Sequence, residues 1–131
     1  MNAVILDTNV YSAFFRGDPK PLAALRAADE IHMPLIVLGE LLAGFAAGTR
    51  ETSNREKLAS FLASSRVHLM KLDEKTARHY GDLYASLREQ GTPVPTNDLW
   101  IAALARQHGI PVLTLDAHFA LVPGIAIAKM G

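Results

Sequence analysis

Two short apolar runs near opposite ends of the chain, Val4-Ile5-Leu6 and Val112-Leu113-Thr114-Leu115, each stop on an aspartate, Asp7 and Asp116. Runs this short suit buried strands rather than helices. Between them strand and helix signals alternate. Strands are expected at 3–6, 31–33, 67–70 and 110–115, with a weak fifth at 125–127. Helices are expected just after Asp7, then over 19–28 and over 35–47, the latter opened by Pro34 and closed by Gly48. A further helix, capped by Thr52 or Ser53, runs to about Ser64. Asp73 is a natural N-cap for a long helix ending at Gln90, and Gly91 stops it. Thr96 caps a last helix over 97–108, stopped by Gly109. Strands alternating with helices through short connections imply an α/β fold with a short, mainly parallel sheet covered on both faces. Ligands of such sheets bind beyond the carboxyl ends of the strands, where Asp7 and Asp116 are placed.

The chain's 131 residues suit one domain over 1–131. Thirteen basic and thirteen acidic residues balance, so no basic excess marks a polyanion binder. A nucleic-acid substrate would need a local groove or a partner. The absence of cysteine excludes disulfides, thiolate nucleophiles and cysteine-ligated zinc. No apolar stretch is long enough to cross a membrane, and the N-terminus lacks the basic start and apolar core of a signal peptide. A cytoplasmic protein without membrane contact is expected.

Four acids stand in apolar surroundings. Asp7 and Asp116 end the two runs. Glu40 interrupts the apolar helix at 35–47, and Asp98 opens Leu99-Trp100-Ile101-Ala102-Ala103-Leu104-Ala105. Acids are seldom buried unless paired or bound to metal. No lysine or arginine lies within helical or strand reach of Glu40. Two carboxylates at about 4 Å repel by roughly 4 kcal/mol at the effective dielectric near a protein surface. A cluster of four therefore calls for protons or cations, and an all-oxygen donor set favours magnesium, manganese or calcium over zinc or copper. Singly, each acid has a plainer role open to it. Asp7 or Asp116 can start a turn, and Asp98 can sit on a helix dipole. A core-facing Glu40 has no such role.

At these residues the chain resembles the PIN-domain proteins, and closely the VapC-type toxins of bacterial toxin–antitoxin pairs. The resemblance rests on Val4-Ile5-Leu6-Asp7-Thr8-Asn9, Leu38-Gly39-Glu40-Leu41-Leu42-Ala43-Gly44, Pro95-Thr96-Asn97-Asp98-Leu99-Trp100-Ile101-Ala102-Ala103 and Leu113-Thr114-Leu115-Asp116-Ala117-His118-Phe119, in that order. It implies a PIN-like three-layer fold, with Asp7, Glu40, Asp98 and Asp116 as catalytic and metal-ligating acids and Thr8, Asn9 and Thr114 in support. It further implies a magnesium- or manganese-dependent endoribonuclease acting on RNA, a homodimer, and neutralisation by a VapB-like antitoxin through which alone DNA would be contacted. A divalent cation on carboxylates activates water and offsets charge on a scissile phosphate.

Rival readings remain open. A phosphoryl-transfer hydrolase with Asp7 as nucleophile would carry a second aspartate two residues later, where this chain has Asn9. A binding module could hold a structural ion, and an RNA-processing nuclease need not be a toxin. His118, near Asp116, can contact metal or phosphate, but a loop histidine more often does neither. Trp100 reads as core, and Arg50, Arg88 and Arg106 as solvated helix charges. The nearly all-apolar helix at 35–47 and the aromatic patch Tyr11, Phe14 and Phe15 suggest either core or a subunit surface.

Overall fold

The strands β1 (Ala3–Leu6), β2 (Glu30–Pro34), β3 (Val67–Met70) and β4 (Val112–Leu113) form one parallel sheet in the order β3-β2-β1-β4. The computed structural model describes residues 2–130. Each connection carries two helices: α1 (Thr8–Phe15) and α2 (Pro19–Ala27), then α3 (Leu35–Ala47) and α4 (Glu51–Leu62), then α5 (Glu74–Gln90) and α6 (Thr96–His108). A 3-10 turn over Ala117–Leu121 follows β4. Val4, Ile5 and Leu6 are all buried. Successive strand residues point to opposite faces, so both faces of the sheet are covered at β1. On α6, every residue from Leu99 to Ala105 except the half-buried Trp100 is buried. Its alanines keep that helix slim where it meets the core.

The chain moves outward from β1 through β2 to β3, then crosses back to lay β4 on the other side of β1. The strand order therefore reverses between β1 and β4. Two carboxyl ends diverge there into different helices, which leaves a crevice that no connection covers. Asp7 follows β1, and Asp116 lies three residues past β4.

Several elements differ from their sequence-based outlines. The strand expected at 110–115 keeps only Val112 and Leu113. Beyond them the chain leaves the sheet, because Thr114 donates its hydroxyl to Asp7 and the Leu115 N–H turns to Asn9 Oδ1. The fifth strand shrinks to one bridge, Val112 with Ile127. Thr96 is the first residue of α6 rather than its cap, a place held by Pro95, whose fixed φ suits the entrance to a helix. α4 begins at Glu51, before either expected cap. The outline of α5 matches: Asp73 and Thr76 form a reciprocal capping box, and Gly91 ends the helix at a φ of 71°. The apolar α3 buries only Val37 and Leu41, and Leu35 is 38% exposed. Leu38, Leu42 and Phe45 are partly buried against the core, which leaves part of the helix's apolar surface uncovered, Leu35 above all.

Candidate active site

Asp7 is fixed by its position between strand and helix. Its N–H donates to Leu113 O at 3.1 Å, which ties it to β4. Its carboxylate then caps α1, accepting the Thr8 N–H on Oδ1 at 2.8 Å and the Thr114 hydroxyl on Oδ2 at 2.7 Å. The residue is 4% exposed. Burial pushes its carboxyl above the usual carboxylate range, and the charges of Glu40 and Asp116 push the same way. The two hydrogen bonds oppose that rise.

Thr114 links two acids. While donating to Asp7, its oxygen accepts the Asp116 N–H at 2.9 Å. Asp116 next folds back on its own chain, its Oδ1 accepting the His118 N–H at 2.8 Å, and so opens the 3-10 turn. Asn9 secures the same segment from the α1 side through the Leu115 N–H, at 3.2 Å. Glu40 reaches in from α3, where its Oε1 accepts the Thr8 hydroxyl at 2.8 Å. The glutamate is half-buried rather than core-facing. Thr8 and Thr114 thus orient Glu40 and Asp7 from opposite sides.

Asp98 lies in the first turn of α6. Its carboxyl is pushed up to about 6, first by burial and then by the charges of Asp7, Asp116 and Glu40, with His118 pulling it down. Every one of the other three acids acts on Asp98, so the structure brings all four sequence-selected acids together. Among the described residues, no lysine or arginine forms an ion pair with any of them. Arg106 faces Asp82 at 3.7 Å, and Arg88 lines a surface groove with Tyr84 and Pro93. Trp100 stacks on Tyr80 of α5 with ring centroids 4.1 Å apart, so its role is to join two helices. Tyr11 and Phe14 pack on Phe61 of α4.

His118 is the residue the sequence reading set aside. Its Nδ1 lies 2.9 Å from Asp116 Oδ1 and 3.9 Å from Asp98 Oδ2. Donor atoms of Asp98, Asp116 and His118 fall within 4.8 Å of one another. The available signal was its place two residues after an aspartate at a strand end, where an Asx turn folds the chain back.

This arrangement fits a divalent cation. Burial and neighbouring carboxylate charges raise two pKa values, and among the described residues an imidazole is the one protein cation that pairs with these acids. Hard oxygen donors dominate, which suits magnesium or manganese.

The PIN domain family model matches residues 4–125. The chain belongs to the PIN-domain family. Within this PIN family its relatives include VapC proteins. It is 32% identical over 128 residues to Ribonuclease VapC5 of Mycobacterium tuberculosis, covering 98% of this chain and 93% of that protein. Among solved structures, DNA-bound VapBC from Salmonella typhimurium matches with a TM-score of 0.88 and 27% identity over 100% of both chains. VapBC2 from Rickettsia felis, bound to a promoter DNA fragment, matches with a TM-score of 0.86 and 25% identity over 98% of this chain and 99% of that one. The three-layer PIN-like architecture expected from the sequence is the one observed.

Proposed function

We propose that this PIN domain is a magnesium- or manganese-dependent endoribonuclease and the toxin of a VapBC-type pair. The observation that carries the reading is the convergence of Asp7, Glu40, Asp98 and Asp116 at the β1–β4 switch point, with the Asp7 carboxyl raised by burial and the charges of Glu40 and Asp116, and the Asp98 carboxyl by burial and the charges of Asp7, Asp116 and Glu40. Charge of this density at an open crevice serves cation binding better than it serves stability.

Asp98, Asp116, Asp7 and Glu40 are the groups that would hold the cation. When bound, a divalent ion makes an activated water available near neutral pH and offsets charge on the phosphate. The chain's own part is positional. Thr114 and the Thr8 N–H hold both Asp7 oxygens, Thr8 fixes Glu40, and Asn9 pins the segment carrying Asp116. Hydrolysis adds water across one P–O bond and leaves a phosphate on one RNA end and a hydroxyl on the other. The Thr8 and Thr114 hydroxyls already donate to carboxylates, so neither is placed as a covalent nucleophile.

Relatives named as VapC ribonucleases support RNA as substrate, and the VapBC complexes among the solved relatives support a VapB-like partner. Both of those complexes are bound to DNA, and DNA contact made through the partner alone is part of the same proposal. The exposed apolar surface of α3 supports a homodimer. The deciding experiment incubates the chain with total cellular RNA, with and without magnesium or manganese, and maps new ends. Discrete new ends are expected with metal and none with a chelator. Full cleavage by metal-stripped protein would overturn the reading.

A further inference from the structure

We propose that His118 supplies an imidazole ligand to a cation position shared with Asp98 and Asp116, and that this nitrogen donor makes the site prefer manganese to magnesium. The inference rests on the metal-dependent reading above and adds a residue and a selectivity to it.

The geometry is specific to the turn after β4. Asp116 caps that turn through the His118 N–H, and the His118 ring stands beside Asp116 and Asp98. Nδ1 then faces both acids, at 2.9 Å from Asp116 Oδ1 and 3.9 Å from Asp98 Oδ2. Donors sharing one cation at about 2.1 Å stand roughly 3.0–3.5 Å apart, for angles between octahedral and tetrahedral. The two observed separations bracket that range. The ring is half exposed, which leaves it room for a small adjustment toward a shared cation.

A purely structural role for the imidazole is weaker on the same facts. Asp116 is already held by two hydrogen bonds, its own N–H to Thr114 and its Oδ1 from the His118 N–H. A ring needed only to orient Asp116 has no reason to face Asp98 as well. Nitrogen donors bind transition-metal dications well, whereas magnesium is reluctant to exchange water for anything but oxygen. Adding one imidazole to a carboxylate set therefore raises manganese affinity while leaving magnesium affinity nearly unchanged.

The test uses the whole chain as wild type, His118→Ala and His118→Gln. Glutamine keeps a hydrogen-bond donor for Asp116 but offers no imidazole. Manganese binding is read from the free-ion electron paramagnetic resonance signal, and magnesium binding by competition. Pulsed resonance on bound manganese reads nitrogen coupling directly. Both variants should bind manganese about tenfold more weakly, the lower end of what losing a supporting group at a metal site costs. Their magnesium affinity should change by less than twofold, and the nitrogen coupling of the wild type should vanish. Equal weakening of both metals, unchanged manganese binding, or nitrogen coupling that survives in the variants would each overturn the assignment. Wild type that binds manganese without nitrogen coupling removes His118 alone. Wild type that binds neither metal removes the metal-dependent reading together with it. Thermal melts of the variants confirm that a folded chain is being compared.

Discussion

Replacing Asp98 by asparagine removes one charge from the crevice and keeps the side chain's shape. In metal-free protein the Asp98 carboxyl is raised from 3.8 to about 6, so its folded form holds the proton more tightly than its unfolded form. The stability this represents is fully present below pH 4 and is lost as pH rises through 6. The difference between those two values is worth up to about 3 kcal/mol. Screening at the open side of the crevice brings the figure to about 1–2 kcal/mol. Against this stands the favourable interaction of a first-turn acid with the α6 dipole, a few tenths of a kcal/mol to about 1. The net expectation at pH 7 is that metal-free Asp98→Asn is more stable than wild type by about 1 kcal/mol, or roughly 3–5 °C in Tm for a chain of this size. At pH 4 and below, wild-type Asp98 is protonated and the two proteins should melt together. The assay is thermal unfolding by circular dichroism in chelator, from pH 3.5 to 7.5. A mutant that is less stable than wild type above pH 5 would show that Asp98 serves its helix and not a charge cluster. The same mutant should lose nearly all RNA cleavage.

Further outcomes follow from other contacts. Thr114→Val removes the 2.7 Å donor to the buried Asp7. It should cost about 1–3 kcal/mol in chemical denaturation, because a buried carboxylate loses a charge-assisted partner. It should also reduce RNA cleavage without abolishing metal binding. Sedimentation at micromolar concentration should give a dimer mass, since α3 leaves apolar surface uncovered. A monomer would remove that support. A cognate partner should inhibit by placing a guanidinium between carboxylates of the cluster. Partner binding and manganese binding should then compete in calorimetry, and additive binding would refute the idea.

The four acids were legible because each ends, interrupts or opens an apolar run, and charge at such a place has few explanations. The end of β1 was legible for the same reason, since Val4-Ile5-Leu6 is apolar without alternation. What the sequence hid is long-range and polar. β4 stops early because Thr114 turns toward Asp7, 107 residues away, and the Leu115 N–H toward Asn9, 106 residues away. No local period carries that information. Glu40 looked core-facing because α3 is apolar all round, yet its partner Thr8 lies 32 residues earlier on another helix. The turn after Asp116 hid His118 likewise. In sequence it is a loop histidine for which metal or phosphate contact is only one of the roles open, and the Asx turn sets it beside two acids.

One consequence joins the fold to the chemistry. The β1–β4 switch point is where the sheet leaves an uncovered crevice, and it gathers acids from four separate elements or their ends: β1, α3, α6 and the turn after β4. Without metal, their mutual repulsion weakens exactly those joints between elements, and a bound dication converts repulsion into attraction across them. Stabilisation by metal should therefore be small near pH 4, where Asp98 is protonated, and should grow toward pH 7 as the cluster ionises. A single structural ion on one or two acids that ionise normally would reach its full effect by about pH 5. The pH at which metal-induced stabilisation develops thus reports whether the acids act as one charged unit. Melts of wild type with saturating manganese, set against melts in chelator across that range, measure it directly.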